Sequence, residues 1–147
     1  MRTIAPSPVT TENVGFLLAK ASQRFNDLLM ERFAARGFGE VRASYGSVLV
    51  PLFERDGLRL GELAAAARLS KQAMTGLVKR CEADALVERG PDPSDGRAFN
   101  VRLTSRGRAV RDVAEEVLDE LNDDLAQALG VDDRDALIRA LKGVLEL

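Results

Sequence analysis

Residues 60 to 104, LGELAAAARLSKQAMTGLVKRCEADALVERGPDPSDGRAFNVRLT, admit very few folds. Leu60 to Ala67 reads as a short helix with Leu63, Ala64 and Ala67 on its inward face. The small residues there let a second helix cross closely. Arg68-Leu69-Ser70 forms the turn, with Leu69 plugging the corner and Ser70 capping the next helix. That helix runs from Lys71 to about Asp84, with Met74, Leu77, Val78 and Cys81 on one face. Leu86 to Arg89 is a short strand, Gly90 to Gly96 is dense in turn formers, and Arg97 to Leu103 alternates well enough for a return strand with Phe99, Val101 and Leu103 on one side. The sum is a helix-turn-helix followed by a β-hairpin, which is a winged helix.

The second helix of this motif presents Lys71, Gln72, Thr75, Lys79 and Arg80 away from its apolar face, with Ser70 at its start. Such residues reach bases and phosphates: Gln pairs with adenine, Thr meets a thymine methyl, and Lys finds guanine or phosphate. An ordinary solvated face has similar composition, and what favours recognition is the position after a helix and a tight turn. Arg97, near the hairpin tip, suits the enhanced negative potential of a narrow minor groove. Asp95, two residues earlier, is expected to hold that guanidinium by a bidentate pair. The charge distribution agrees. Residues 58 to 107 carry nine Lys/Arg against six Asp/Glu, a local +3 in a chain whose total is −2, which leaves −5 for the remainder. A basic unit on acidic supports is the footprint of a directed DNA binder.

The flanks read as scaffolding. Met1 to Val9 is expected as an extended arm. Thr10 or Thr11 is the expected cap of a long amphipathic helix through Val14, Leu17, Leu18, Ala21, Phe25, Leu28, Leu29 and Phe33, ending near Arg36-Gly37. Val41 to Glu54 reads as a second helix, with Tyr45, Val48, Leu49, Leu52 and Phe53 as its apolar side and Pro51 shortening its end. After Thr104, a helix cap, near-heptad apolar positions run from Val110 to Leu129 beside a strongly acidic face, which DNA would repel. Asp132 or Asp133 is the expected cap of a last helix bearing Ala136, Leu137, Leu141, Val144 and Leu145. The first and last helices carry more apolar surface than one small winged helix can cover, so they are expected to dock on a second subunit. The expected class is mainly α with a small β-hairpin wing (α+β), divided as a dimerisation arm and helix (1–37), a DNA-binding winged helix-turn-helix (38–104) and C-terminal dimerisation helices (105–147).

Composition removes other classes. The chain has no His, one Cys and no glycine-rich phosphate loop, so no catalytic constellation, metal site or cofactor is expected. A lone cysteine fits a reducing compartment, and no apolar run approaches the roughly 18 residues of a membrane span, so a cytoplasmic protein is expected.

Three segments resemble the MarR family of bacterial transcription regulators: Leu60 to Val78, Leu86 to Arg89, and Asp92-Pro93-Ser94-Asp95-Gly96-Arg97 running into Val101-Arg102-Leu103-Thr104 and Gly107. The resemblance implies a cytoplasmic homodimer that places a recognition helix in each of two successive major grooves of double-stranded DNA, with Arg97 over the flanking minor groove and Asp95 orienting it. It implies base reading by Lys71, Gln72 and Thr75, and backbone contacts by Ser70, Lys79 and Arg80. It also implies repression of palindromic operators, relieved by a small aromatic or phenolic effector bound between the dimer and DNA lobes; Phe16, Phe25, Tyr45 and Leu49 are the candidate walls. The chain departs from the family pattern at Arg68 and Ala85, where Gly is usual; a left-handed backbone at either would cost about 1 kcal/mol. Two alternatives stand beside this: a winged-helix protein-interaction module without DNA binding, and a thiol redox sensor using Cys81, which sits at an apolar position and would need exposure and a lowered pKa to react.

Overall fold

The structure, a computed structural model, describes residues 7–147. The arm expected over 1–9 therefore lies outside the described residues as far as position 6. Six helices and one hairpin follow in the order α1 (Val14–Ala35), a 3-10 turn (Ala43–Tyr45), α2 (Gly46–Glu54), α3 (Leu60–Ala66), α4 (Lys71–Ala83), β1 (Val87–Asp92), β2 (Asp95–Leu103), α5 (Ser105–Leu129) and α6 (Val131–Val144). This is the expected α+β winged helix with long flanking helices.

Asn13, not Thr10 or Thr11, caps α1: its Oδ1 accepts from the Gly15 N–H at 2.8 Å. The threonine side of that junction is already used in a preceding turn, where Thr10 Oγ1 accepts from the Glu12 N–H and Thr10 O from the Asn13 N–H. The other end is closed by Gly37 at φ 84°, with the Phe38 N–H donating to Phe33 O at 2.9 Å.

The expected helix over 41–54 is broken. Arg42 is extended, the 3-10 turn follows, and α-helix begins only at Gly46. Ser44, Gly46 and Ser47 are weak helix formers, while buried Val41 and Tyr45 anchor the segment to the core. Pro51 lies inside α2, which stops three residues later.

Helices α2, α3, α4, the hairpin and the start of α5 enclose one core. Val48, Leu63, Met74, Val78, Cys81, Leu86, Val101 and Val110 are all fully buried in it. Ser70 caps α4 as expected, its Oγ accepting from the Ala73 N–H at 3.1 Å. Thr104 caps α5, accepting from the Gly107 N–H at 3.0 Å while its hydroxyl donates to Ala85 O at 2.6 Å. Gly107 is needed there: a Cβ would stand 2.1 Å from the Leu86 carbonyl oxygen.

The hairpin differs from expectation in two ways. Pairing extends beyond Arg89 to Asp92, in the register Val87↔Leu103 through Pro91↔Phe99, so the tip shrinks to Pro93-Ser94. Phe99 is 40% exposed, although it lies on the same side of β2 as the buried Val101 and Leu103. The strand has run past the edge of the core, and the Arg89 guanidinium covers the ring instead, 5.0 Å from its centroid.

Helix α5 is about 37 Å long at 1.5 Å per residue and lies along α1. Its acidic face is partly neutralised there: Arg32 binds Glu120 and Asp124, and Arg36 binds Glu116 and Glu120. Gly130, at φ 85°, both ends α5 and begins α6, so neither Asp132 nor Asp133 is the cap; both fall in the first turn. Helix α6 buries no residue fully, and Val131, Leu137, Ile138, Leu141, Val144 and Leu145 remain exposed.

Candidate nucleic-acid interface

Helix α4 is amphipathic. Met74, Leu77, Val78 and Cys81 seat it on the core. At 100° per residue, Gln72, Thr75 and Lys79 then lie on the opposite face, with Lys71 and Arg80 at its flanks. Gln72, Lys71, Lys79 and Arg80 are exposed and Thr75 is half-buried. The Thr75 hydroxyl donates to Lys71 O at 2.8 Å, so it arrives at the surface already oriented. Ser70, also exposed, holds the helix start through its cap bond. Five of the six expected residues thus share one outward surface, and the sixth, Ser70, orders its leading edge.

Arg97 sits beyond the hairpin tip, exposed. Asp95 does not clamp its guanidinium as expected. Asp95 Oδ1 accepts from the Arg97 backbone N–H at 3.0 Å, which fixes the main chain at Arg97 and leaves the side chain to reach outward. The carboxylate is two residues away, where a tight turn brings it closer to the amide than to the long side chain's end.

The tip has a second anchor that sequence reasoning missed. Asp92, nearly buried, accepts from Arg59 Nε at 2.5 Å through Oδ2, and from the Ser94 N–H and hydroxyl at 2.9 and 2.7 Å through Oδ1. These donors hold its carboxyl down to about 2, the Ser94 amide first, then the Ser94 hydroxyl, then Arg59. Partners 33 residues apart leave no periodic trace; the available signal was an Arg where a helix usually takes a small polar cap.

Electrostatically, the surface is selective. Arg59, Arg68, Arg89 and Arg106 each have an acidic partner: Asp92, Glu146, Glu82 and Glu40. Among the described residues, Lys71, Lys79, Arg80 and Arg97 have none. Cations left uncompensated on the outer face of α4 and on the wing, in a chain of net negative charge, are available to an external polyanion.

The expected effector walls do not assemble. Tyr45 and Leu49 are buried in the winged-helix core. The Tyr45 hydroxyl donates to Asp84 Oδ2 at 2.5 Å, at the end of α4, and that bond followed by burial pushes the phenol up to about 12. Phe16 is exposed near the start of α1, under Lys20. Phe25 lines a groove of about 580 Å³ between α1, α5 and α6, with Leu18, Leu125, Leu137, Ile138 and Leu141, which the other three do not join. Apolar periodicity identified these side chains as inward, without distinguishing core from cavity wall. A smaller groove of about 230 Å³ lies between α2 and α5, lined by Val50, Phe53, Ala114, Leu118 and Arg111.

Cys81 is fully buried, and burial pushes its thiol up to about 12, with Asp84 adding to the shift. A thiol so held is not a reactive thiolate. Among the described residues no cluster of potential ligands could hold a metal ion, and no helix is long and apolar enough to cross a membrane.

A core-seated helix with an outward polar face and an adjoining hairpin with an exposed arginine near its tip define a winged-helix protein. The MarR family model matches residues 52–98, from the end of α2 to the wing. The HTH-type transcriptional repressor NicR of Pseudomonas putida is 26% identical over 136 residues, 92% of this chain and 84% of that one. A probable transcriptional regulator from Pseudomonas aeruginosa superposes with a TM-score of 0.78 at 26% identity, covering 90% of this chain and 97% of that one. The transcriptional repressor CouR, solved bound to a 23-mer DNA duplex, superposes equally well, with a TM-score of 0.78 at 25% identity over 98% of this chain and 99% of that one. Residues 52–98 thus match the MarR family model, and over nearly its whole length the chain is similar to winged-helix transcriptional regulators.

Proposed function

We propose that this protein is a homodimeric transcription regulator that binds palindromic operators in double-stranded DNA and acts as a repressor. The observation that carries the reading is the set of uncompensated cations on the outer face of α4 and at the wing, beside Arg59, Arg68, Arg89 and Arg106, each of which has an acidic partner. In this reading Gln72 and Thr75 read base edges with Lys71, while Lys79, Arg80 and the α4 start at Ser70 meet phosphates. Arg97 enters a minor groove, with its backbone set by Asp95. The duplex-bound state of CouR, a protein of the same shape, supports this use of the fold.

Residues 38–104 then do the reading, and residues 1–37 and 105–147 do the pairing. The exposed apolar side chains of α1 and α6 and the groove between them suit burial against a second copy, which also brings two reading helices to one duplex. The groove between α2 and α5 lies where the pairing helices join the reading unit. A small effector there relieves repression if it binds the DNA-incompetent spacing of the two α4 helices more tightly than the competent one.

Selection of bound duplexes from a random pool tests the reading directly. The expected product is a palindrome with half-site centres about 10 bp apart, bound with an affinity that falls steeply as salt rises. Arg97→Ala should weaken that binding by about fivefold without altering the dimer, and Gln72→Ala should relax preference at one base position by about 1–3 kcal/mol. A pool that yields no enriched sequence, with binding indifferent to salt, would instead favour a winged-helix module that docks on protein.

A further inference from the structure

Arg59 and Asp92 join the two parts of the winged helix that must act on one duplex together. Arg59 is the residue immediately before α3, and its backbone N–H is taken by Glu62 Oε1 at 3.0 Å, which caps the helix without the Arg59 side chain. That side chain leaves α3 and crosses to the wing, where Nε meets Asp92 Oδ2 at 2.5 Å and Nη2 reaches Ser94 Oγ at 3.4 Å. Asp92 stands where the hairpin register breaks, between the regular ladder and the tip. Its side chain is 9% exposed, and both oxygens are bonded. From Ser94 the tip leads directly to Asp95, which fixes the backbone of Arg97.

The other end of this chain of contacts lies beside the reading helix. Gly61, in the first turn of α3, is close to the Lys71 side chain: a Cβ on Gly61 would be 3.4 Å from Lys71 Cε. The first turn of α3 is therefore gripped by the wing on one side and touches the leading edge of α4 on the other. A two-stranded hairpin has little stiffness of its own, and the wing tip extends past the core, as the exposure of Phe99 records. Without a tie, its angle to α4 would be free to vary.

We propose that Arg59 and Asp92 form a clasp that positions the wing, and with it Arg97, relative to α4, so that the pair sets DNA affinity as positioning residues without touching DNA. The clasp rests on the reading of Arg97 as a minor-groove contact. A buried, fully bonded carboxylate cannot itself face phosphate, so its influence must pass through the tip.

The test measures binding of Asp92→Asn to a duplex selected by the wild-type protein, in the wild-type and Arg97→Ala backgrounds, with the full chain. In the wild-type background the loss should be about fivefold, and it should shrink below about twofold once Arg97 is gone, because coupled residues are not additive. Hydroxyl-radical protection of the flanking minor groove should fade in Asp92→Asn while protection under α4 persists. Arg59→Gln, altering the exposed end of the clasp, gives the same readings should Asp92→Asn fold poorly. Equal losses in both backgrounds overturn the clasp, as does a normal footprint. A loss for Arg97→Ala with none for Asp92→Asn overturns the clasp alone; no loss for either overturns the wing reading and the clasp with it.

Discussion

The two halves of this molecule bury their apolar residues in opposite ways. Around α4, the side chains of Leu63, Met74, Val78, Cys81 and Leu86 are shielded within one chain. Around α6, Leu137, Ile138 and Leu141 are 38%, 45% and 41% exposed, and no residue of the helix is fully buried. Both helices are amphipathic, so sequence pattern alone treats them alike. The half around α4 shields its core within one chain; the α1–α6 half leaves apolar surface exposed, which the proposed pairing with a second copy would cover. Stability should therefore respond to substitution in the first half, and assembly to substitution in the second.

The largest effect is expected from Met74→Ala. Truncating this fully buried side chain should cost about 2–5 kcal/mol, depending on how far the site collapses, read as a lowered midpoint in denaturant. A cost below about 1 kcal/mol would mean that the α4 core is looser than its burial implies. Next comes Leu137→Asp with Leu141→Asp. Two carboxylates on the proposed pairing surface should raise the dimer dissociation constant at least about a hundredfold, roughly 2.7 kcal/mol, by analytical ultracentrifugation. The chain should stay folded, because these side chains are partly exposed without a partner. An unchanged dimer would move the pairing surface away from α6.

Local chemistry explains what could be read from the amino-acid order. Ser70 and Thr104 are caps whose partners lie three residues on, and both bonds form as expected. The outward face of α4 follows from a repeat of three and four residues. The errors share a cause as well. Asn13 displaced Thr10 and Thr11 because several cap-forming residues stood in a row, and geometry chose among them. Gly130 displaced Asp132 and Asp133 because one residue served two helices. Ser44, Gly46 and Ser47 broke a helix that the apolar spacing of Tyr45, Val48 and Leu52 predicted, since burial of Val41 and Tyr45 is a tertiary constraint. The wing's true anchor, Arg59 with Asp92, and the Tyr45–Asp84 bond join residues 33 and 39 positions apart, beyond any periodic signal.

The smallest expected effect links the two halves. Three helices end in the same closing motif, with the following hydrophobe donating back to the last turn: Phe38 to Phe33 O, Leu69 to Ala64 O, and Leu86 to Cys81 O, each at 2.9 Å. The left-handed residue is Gly37 in the first, but Arg68 at φ 56° and Ala85 at φ 59° in the others. A left-handed side-chain residue costs about 1–2 kcal/mol, and glycine gives back about 0.5–1 kcal/mol in unfolded-state entropy. Ala85→Gly should thus gain about 0.5–1 kcal/mol in chemical denaturation. Arg68→Gly recovers the same backbone term but loses two bonds to the end of α6, to Leu145 O at 2.9 Å and Glu146 at 3.2 Å. The arginine there faces the carbonyl end of a helix, where a cation is favourable, but the contact is exposed and is worth about 0.5 kcal/mol. Arg68→Gly should therefore gain less than Ala85→Gly, and the shortfall measures how firmly the helix-turn-helix elbow is tied to α6. Equal gains would show that the tie contributes nothing to stability, leaving α1 and α5 to join the half around α4 to the half around α6.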